Sequence, residues 1–375
     1  MNTPFTPYNF QQKDKLAMSI SYQSIPPSDC ERKSMIGIGN PIIDITADID
    51  KESLQKYGLL WGQTIFANEK NIGYFDELEK RPEVTYTPGG SIQSTMRVAS
   101  WCLNMDEESK GLFKLTMLGC VGNDLYKDKV ENALKLNGVI PLLQEIPNMQ
   151  TSRCAVGIYK KERCLVPQIR ASNCLSEEFI KSNEDQIFEN DILLVEGYFL
   201  QEKFEICKFL CERFSKDKKI IIFTLSAVFM VQYHNEKIME IANMADLIVC
   251  NLDEIEAFAG KGSNIQETME KAHKKLSPKK RIMVVTGDCQ GVFCSEFNYE
   301  TNSLEYLHQS FPKFIKKEEI VDTNGAGDAF LGGFLSQFLK GKDIFKCCKA
   351  GNAVAGVILR NVGCTYPKDL KIKFD

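Results

Sequence analysis

The stretch Asp322 to Leu339 reads DTNGAGDAFLGGFLSQFL, with four glycines and two aspartates in its first twelve residues. A Gly-Ala-Gly turn running into an apolar-periodic helix leaves backbone N–H groups free at the positive end of the helix dipole. Such a mouth suits an anion, above all one that gains charge during a reaction. Asp328 falls in the first turn. A carboxylate there can take a proton from an incoming hydroxyl while the amides of Gly325, Ala326 and Gly327 hold a transferring phosphoryl group. A helix cap behind a tight turn is the competing reading. The second glycine pair, Gly332-Gly333, implies close helix packing one turn later and sets the stretch apart from a lone GxG turn.

Such a site needs elements to position it. A first apolar strand, SMIGIGN, ends in Gly39-Asn40, and helical and strand patterns alternate from there onward. SIQSTMRVASWCL reads as a helix, LFKLTMLGCVG as a buried strand and LYKDKVENALKLNG as a helix closed by glycine. DILLVEGYF, KKIIIFTLS, ADLIVCN and RIMVVTGD supply further strands. Short β-branched runs separated by helices predict parallel βαβ units, hence an α/β sandwich with helices on both faces. Ligands in open α/β sheets bind beyond the carboxyl ends of the strands. Several strands here end in small or polar residues, among them Gly39-Asn40, Glu196-Gly197, Ser226, Asn251 and Thr286-Gly287. Two regions break the rhythm: GQTIFA with EVTYTPGG, and SRCAVGIYKKERCLVPQIRAS. Their strand-like alternation without helices predicts a small antiparallel sheet over one edge of the main domain.

Composition narrows the class. The chain has 375 residues, 43% of them hydrophobic and 26% charged, as in an ordinary soluble globular protein. A net charge of −4 gives no general pull toward nucleic acid or an anionic membrane. The basic run Lys271 to Arg281 reads as a solvated helix end. Fourteen cysteines include no CxxC pair, so a structural zinc site is not expected; reduced thiols in a cytosolic protein fit better. Residues 1–33 read as a loose polar arm with no apolar run of signal-peptide length, and no stretch approaches transmembrane length. The expected organisation is that arm followed by one domain, 34–375, with a discontinuous lid from about 59–90 and 150–172.

DTNGAGDAFLGGFLSQF is similar to the C-terminal signature of the ribokinase (PfkB-type) family of sugar and nucleoside kinases. GIGNPIIDITA, TPGGSIQSTMRVASW, GCVGNDLYK, TLSAVF, NLDEIEAFA and AGNAVAGVILRNVGCTYP resemble, in order and at similar spacing, segments of that family's adenosine kinase branch. The resemblance implies a ribokinase-like three-layer α/β/α sandwich with a mostly parallel central sheet and a small antiparallel β lid. It implies ATP-dependent phosphorylation of the 5′-hydroxyl of adenosine, giving AMP and ADP in purine salvage.

Carried over residue by residue, the resemblance makes Asp328 the catalytic base and Gly325, Ala326 and Gly327 the anion hole. Asp44, placed at the end of the first strand, would grip both ribose hydroxyls, Gly89, Gly90 and Ser91 would let the sugar approach the backbone, and Asn40 would also face the substrate. Phe199, Cys154 and Leu165 would line the purine pocket, with Gln63 reaching in from the lid's first strand. Without the resemblance, Phe199, Cys154 and Leu165 read as core residues. Asn251 and Glu254 fit the family's N-x-x-E element, with Glu254 organising Mg²⁺ through water. Thr286, Gly287, Asn324 and Asn352 would sit around ATP. Arg163 on the lid would neutralise phosphate charge, and Asp322 with the NVGC loop would frame a monovalent-cation site, K⁺ being a candidate.

Three departures bear on these expectations. Ser94 stands where the branch has Asn, which makes one sugar contact water-mediated or lost. TGDCQG places its first glycine one residue early, so the nucleotide contacts of Thr286 and Gly287 stay open. Pro167 enters the lid at a position that is usually small. A sugar kinase of the same family and a non-catalytic nucleoside-binding member are the alternatives. The presence of Asp328, the glycines and Glu254 favours an active kinase acting on adenosine and ATP, and a monomer is expected.

Overall fold

The computed structural model describes residues 33–60, 64–159, 162–309, 315, 317–367, 370–372 and 374. Its thirteen strands are β1 (Ser34–Ile38), β2 (Ile42–Asp48), β3 (Thr85–Gly89), β4 (Lys114–Gly122), β5 (Val139–Ile146), β6 (Ser152–Tyr159), β7 (Glu162–Gln168), β8 (Ile192–Glu196), β9 (Ile220–Thr224), β10 (Leu247–Asn251), β11 (Ile282–Thr286), β12 (Val292–Asn298) and β13 (Ser303–Gln309). Nine form a central sheet in the order β13-β12-β11-β10-β9-β8-β1-β4-β5. The run from β11 to β5 is parallel throughout, and the β12–β13 hairpin adds an antiparallel edge.

Strands buried on both faces read as continuous apolar runs, because helices cover each side of a parallel sheet. Successive residues of one strand then belong to opposite cores. Met35, Leu194, Ile222 and Val284 pack into one apolar cluster, whereas Ile36, Leu193, Ile221 and Met283 pack into the other. That alternation is the three-layer α/β/α sandwich expected from the sequence. The helices Ala326–Leu339 and Ser91–Asn104 lie against each other on one face. A Cβ added at Gly332 would fall 2.7 Å from the Val98 side chain, and one at Gly333 2.8 Å from the Ala350 carbonyl oxygen. The glycine pair is a packing device: Gly332 lets the helix lie close on Ser91–Asn104, and Gly333 close on the helix Ile344–Ile358.

Four strands form a second sheet in the order β3-β2-β6-β7. The outer pairs are antiparallel and the central pair, β2 with β6, is parallel. Beyond the expected insertions, the small sheet takes in Ile42–Asp48. The chain leaves the central sheet at Ile38 and enters the small one at Ile42, turning through Gly39-Asn40-Pro41. The buried Gln93 secures this junction, its amide nitrogen donating to the Ile42 and Gly89 carbonyls at 3.2 and 2.8 Å. No helix among the described residues is long and apolar enough to cross a membrane. The thirteen described cysteines are all free thiols.

Candidate active site

The helix Ala326–Leu339 starts from Gly325, which adopts a left-handed conformation (φ 77°) and offers no side-chain cap. Any other residue at Gly325 would also press its Cβ to 2.8 Å from that of Cys364. At Gly327 the space above the backbone is open, with no heavy atom within 4 Å of an added Cβ. The uncapped first turn therefore opens onto room for an anion. Asp328, in that turn, accepts a 2.6 Å hydrogen bond from the Ser91 hydroxyl at its Oδ1. Burial pushes its pKa up to about 6, opposed by the Ser91 bond. A carboxylate with that proton affinity is suited to general-base work near neutral pH.

Asp44 sits within β2, opposite Thr87 of β3 and Cys154 of β6. Its expected place at the end of the first strand is corrected by the Gly39–Pro41 turn, which carries it to the small sheet. The carboxylate lies across Gly89, where an added Cβ would fall 2.2 Å from Oδ1. It accepts no hydrogen bond among the described residues. Burial, with Asp328 and Asp322 adding repulsion, pushes its pKa up to about 7 against the attraction of Arg163 and Arg97. Gly90 has φ 85°, and a Cβ there would meet the Asn40 carbonyl oxygen at 2.3 Å. Glycine at 89 and 90 is thus demanded by Asp44 and Asn40 themselves.

Arg163 of β7 lies 2.7 Å from Asp322 Oδ2, in an ion pair joining the small sheet to the loop before the anion site. The other contacts of Asp322 are backbone N–H groups, from Asn324 at 2.9 Å and Gly363 at 2.5 Å. The expected phosphate neutraliser and the expected cation ligand are partners in this conformation. Asn40 donates from its backbone and its side-chain amide to Glu196 Oε1, at 2.9 and 3.3 Å. Its own Oδ1 is buried without a partner. Ser94 is buried in the helix that Ser91 begins.

At the other end of the crest, Asn251 and Glu254 form a reciprocal capping box. Glu254 accepts from the Asn251 backbone at 3.1 Å and from its side chain at 2.8 Å. Glu254 is buried, and burial pushes its pKa up to about 7. No group of three or more His, Cys, Asp or Glu side chains among the described residues could hold a metal ion. Thr286 ends β11, and Gly287 is packed so closely that an added Cβ would meet the Phe293 ring at 2.7 Å. Asn352, on the helix Ile344–Ile358, keeps a buried Oδ1 with no partner.

The base-pocket residues divide. Cys154 is buried on β6 and Leu165 half-buried on β7. Phe199, 2% exposed, is packed into the hydrophobic core. Its neighbour Tyr198 is the outward one at 37%, and its ring lies 5.9 Å from Phe229. Phe229 in turn meets Phe66 edge-on at 6.3 Å. The Phe66 segment is tied to the small sheet, since Ile65 and Ala67 donate to the Leu165 and Pro167 carbonyls. An aromatic trio that the sequence reading left out therefore bridges the two sheets. Its members lie in the quoted segments GQTIFA, DILLVEGYF and TLSAVF, and nothing local in those segments says that they meet. Gln63 lies outside the described residues.

Comparison with known proteins agrees with this geometry. Residues 51–371 match the model of the pfkB family carbohydrate kinases. The adenosine kinase of Dictyostelium discoideum is 30% identical over 347 residues, covering 90% of this chain and 97% of that one. Adenosine kinase 2 of Arabidopsis thaliana is 29% identical, covering 89% and 96%. Among solved structures, apo adenosine kinase of Trypanosoma brucei brucei superposes with a TM-score of 0.79 at 29% identity, covering 88% of this chain and all of that one. Anopheles gambiae adenosine kinase in complex with P1,P4-di(adenosine-5) tetraphosphate gives 0.77 at 28% identity, covering 89% and 98%. With the family model spanning residues 51–371 and a relative 30% identical over 90% of the chain, the chain belongs to the pfkB family of carbohydrate kinases.

Proposed function

We propose that the chain is an adenosine kinase, transferring the terminal phosphoryl group of ATP to the 5′-hydroxyl of adenosine to give AMP and ADP. The observation that carries this reading is the pairing of two carboxylates with separate surroundings. Asp328 stands in an uncapped helix mouth and is engaged only by a hydroxyl. Asp44 has no hydrogen-bond donor of its own, and the two interact electrostatically. Asp44 suits a vicinal diol, which brings two donors. Asp328 then accepts the 5′-hydroxyl proton as the oxygen attacks phosphorus, and the amides of Gly325 to Gly327 hold the oxygens that gain charge. Tyr198, Phe229 and Phe66, with Leu165 and Cys154, supply an aromatic and apolar site for a flat base. That is the feature a bare sugar would not use.

Asn324, Thr286, Gly287 and Asn352 are the proposed nucleotide contacts, and the unpartnered Asn352 Oδ1 leaves an acceptor for a donor on ATP. Mg²⁺ would be carried on the phosphates and water, with Glu254 reaching it only through water. Bound there, Mg²⁺ would offset phosphate charge. The Arg163 guanidinium already neutralises Asp322, so this site fits K⁺ only with Arg163 withdrawn toward phosphate. Free thiols throughout the described residues support a reducing compartment.

A coupled assay over nucleosides and sugars with ATP and Mg²⁺ tests the reading. Adenosine should be turned over far better than ribose or fructose; turnover of a sugar without adenosine would assign a sugar kinase instead. Gly327→Ala should fold with an unchanged Tm, since its Cβ meets nothing. It should still lose about 10-fold or more in kcat, because the methyl occupies the space over the anion-binding amides. Wild-type kcat would place the transferred group elsewhere.

The small sheet is the proposed lid, fastened to the main domain near the site by the Arg163–Asp322 pair and the Phe66–Phe229 contact. Closure that depends on nucleoside keeps the assembled base from activating water. Amide hydrogen exchange should show protection of residues 64–90 and 152–172 with adenosine alone. An ATP analogue alone should change little there. Equal protection by the analogue, or rapid ATP hydrolysis without nucleoside, would reject a nucleoside-triggered lid.

A further inference from the structure

Glu196 ends β8 at the crest and is 1% exposed. Among the described residues no lysine or arginine pairs with it, and its carboxyl is met by N–H groups; burial pushes its pKa up to about 8 against those bonds. Oε1 accepts from the Asn40 backbone at 2.9 Å and from Asn40 Nδ2 at 3.3 Å. Oε2 accepts from the backbone N–H of Ile92 at 3.3 Å. The last contact matters because the helix Ser91–Asn104 begins at Gly90, which has no side chain to cap it. Glu196 supplies that cap from 104 residues away. A buried, unpaired carboxylate costs a protein several kcal/mol unless its hydrogen bonds are complete, and the preceding residues Leu193, Leu194 and Val195 are the apolar kind a core needs.

The donors that Glu196 holds belong to the two groups next to the reacting centre. With Nδ2 of Asn40 committed to Glu196, its Oδ1 is left buried and without a partner. That atom is an acceptor free for a hydroxyl. The capped turn is the one in which Ser91 donates to Asp328. Gly39 completes the fit, because an added Cβ there would fall 2.8 Å from Glu196 Oε1. We propose that Glu196 is a positioning residue for phosphoryl transfer, fixing the Asn40 amide for the nucleoside and the first helical turn that holds Ser91 against Asp328.

The proposal rests on the nucleoside kinase reading, and its test separates the two. Glu196→Gln keeps the volume but turns an N–H toward one of three N–H groups. Adenosine Kd, by calorimetry, should rise about 10-fold or more, and kcat should fall by a similar factor, as for a buried N–H group left without its acceptor. Because Glu196 acts on the nucleoside through Asn40, the double variant Glu196→Gln/Asn40→Ala should bind adenosine little worse than Asn40→Ala alone. A side chain that merely fills the core would give multiplicative effects. Glu196→Asp keeps the carboxyl on a stem too short to serve Asn40 and Ile92 together; it provides a folded variant should glutamine not fold, with a severalfold rise in Kd expected. Full wild-type Kd and kcat in a folded Gln or Asp variant, or multiplicative Kd effects in the cycle, would overturn the proposal. A wild-type protein unable to phosphorylate adenosine would instead defeat the nucleoside kinase reading.

Discussion

Replacing Asp328 by asparagine is expected to cut kcat by about 10²–10⁴-fold while leaving adenosine affinity within severalfold of wild type. The substitution keeps an oxygen to accept the Ser91 hydroxyl, so the helix mouth keeps its shape and only the proton acceptor is lost. Two pH signatures follow. With nucleoside bound, kcat should rise with pH through about 6, where burial places Asp328, and Asp328→Asn should lack that limb. Stability should move the other way. A carboxyl whose folded pKa is raised from 3.8 to about 6 binds its proton more tightly when folded, so it stabilises below about 4 and loses that contribution as pH rises through 6. Asp328→Asn removes the penalty of holding a charge in this site at neutral pH. Its Tm should therefore exceed that of wild type at pH 7, with the gain vanishing near pH 4 in scanning calorimetry. A variant with near-normal kcat would reduce Asp328 to a helix cap, the reading its sequence position also allowed.

Asp328 and its turn were legible because glycines at 325 and 327 with an aspartate in the first turn serve a helix poorly unless the mouth is used. The parallel sheet was legible from apolar runs of five residues separated by helices. What escaped the sequence depends on long-range geometry. Glu196 reads as an ordinary strand end until its partners, 156 and 104 residues earlier, are brought beneath it. Asp44 was placed beside the first strand because nothing local says that Gly39-Asn40-Pro41 carries the chain from one sheet to another. Parallel pairing of β2 with β6 was hidden for the same reason, since strand-like alternation does not specify direction. Tyr198 and Phe199 are adjacent in a single 3₁₀ turn, and only packing decides which ring enters the core. The resemblance chose Phe199, and the structure turns Tyr198 outward toward Phe229. The β12–β13 hairpin closes the sheet edge with residues that carry no chemistry and so drew no attention.

Asp44→Ala should weaken adenosine binding by about 10²–10⁴-fold, because two hydrogen bonds to a charged acceptor, worth about 1.5–3 kcal/mol each, are lost together. The carboxylate is poised for that role and costly without it. It lies between β3 and β6 with no hydrogen-bond donor among the described residues, and two other carboxylates press on it electrostatically. Its pKa, raised to about 7 mainly by burial, means that near neutral pH a substantial fraction of free protein holds the proton. A ribose diol donates to the ionised form and disfavours the protonated one, so binding must expel that proton. Adenosine Kd should therefore rise as pH falls below about 7, and calorimetry in buffers of different ionisation enthalpy should register proton release. Both signals should disappear in Asp44→Ala, whose residual binding depends on the aromatic and apolar base site. The kinetic consequence is a second acid limb, near 7, in kcat/KM but not in kcat, because the bound diol keeps Asp44 ionised while Asp328 titrates lower. Ribose-free adenine should bind wild type and Asp44→Ala alike. An unchanged adenosine Kd in Asp44→Ala, or binding without proton release near pH 7, would remove Asp44 from the sugar site and leave its burial unexplained.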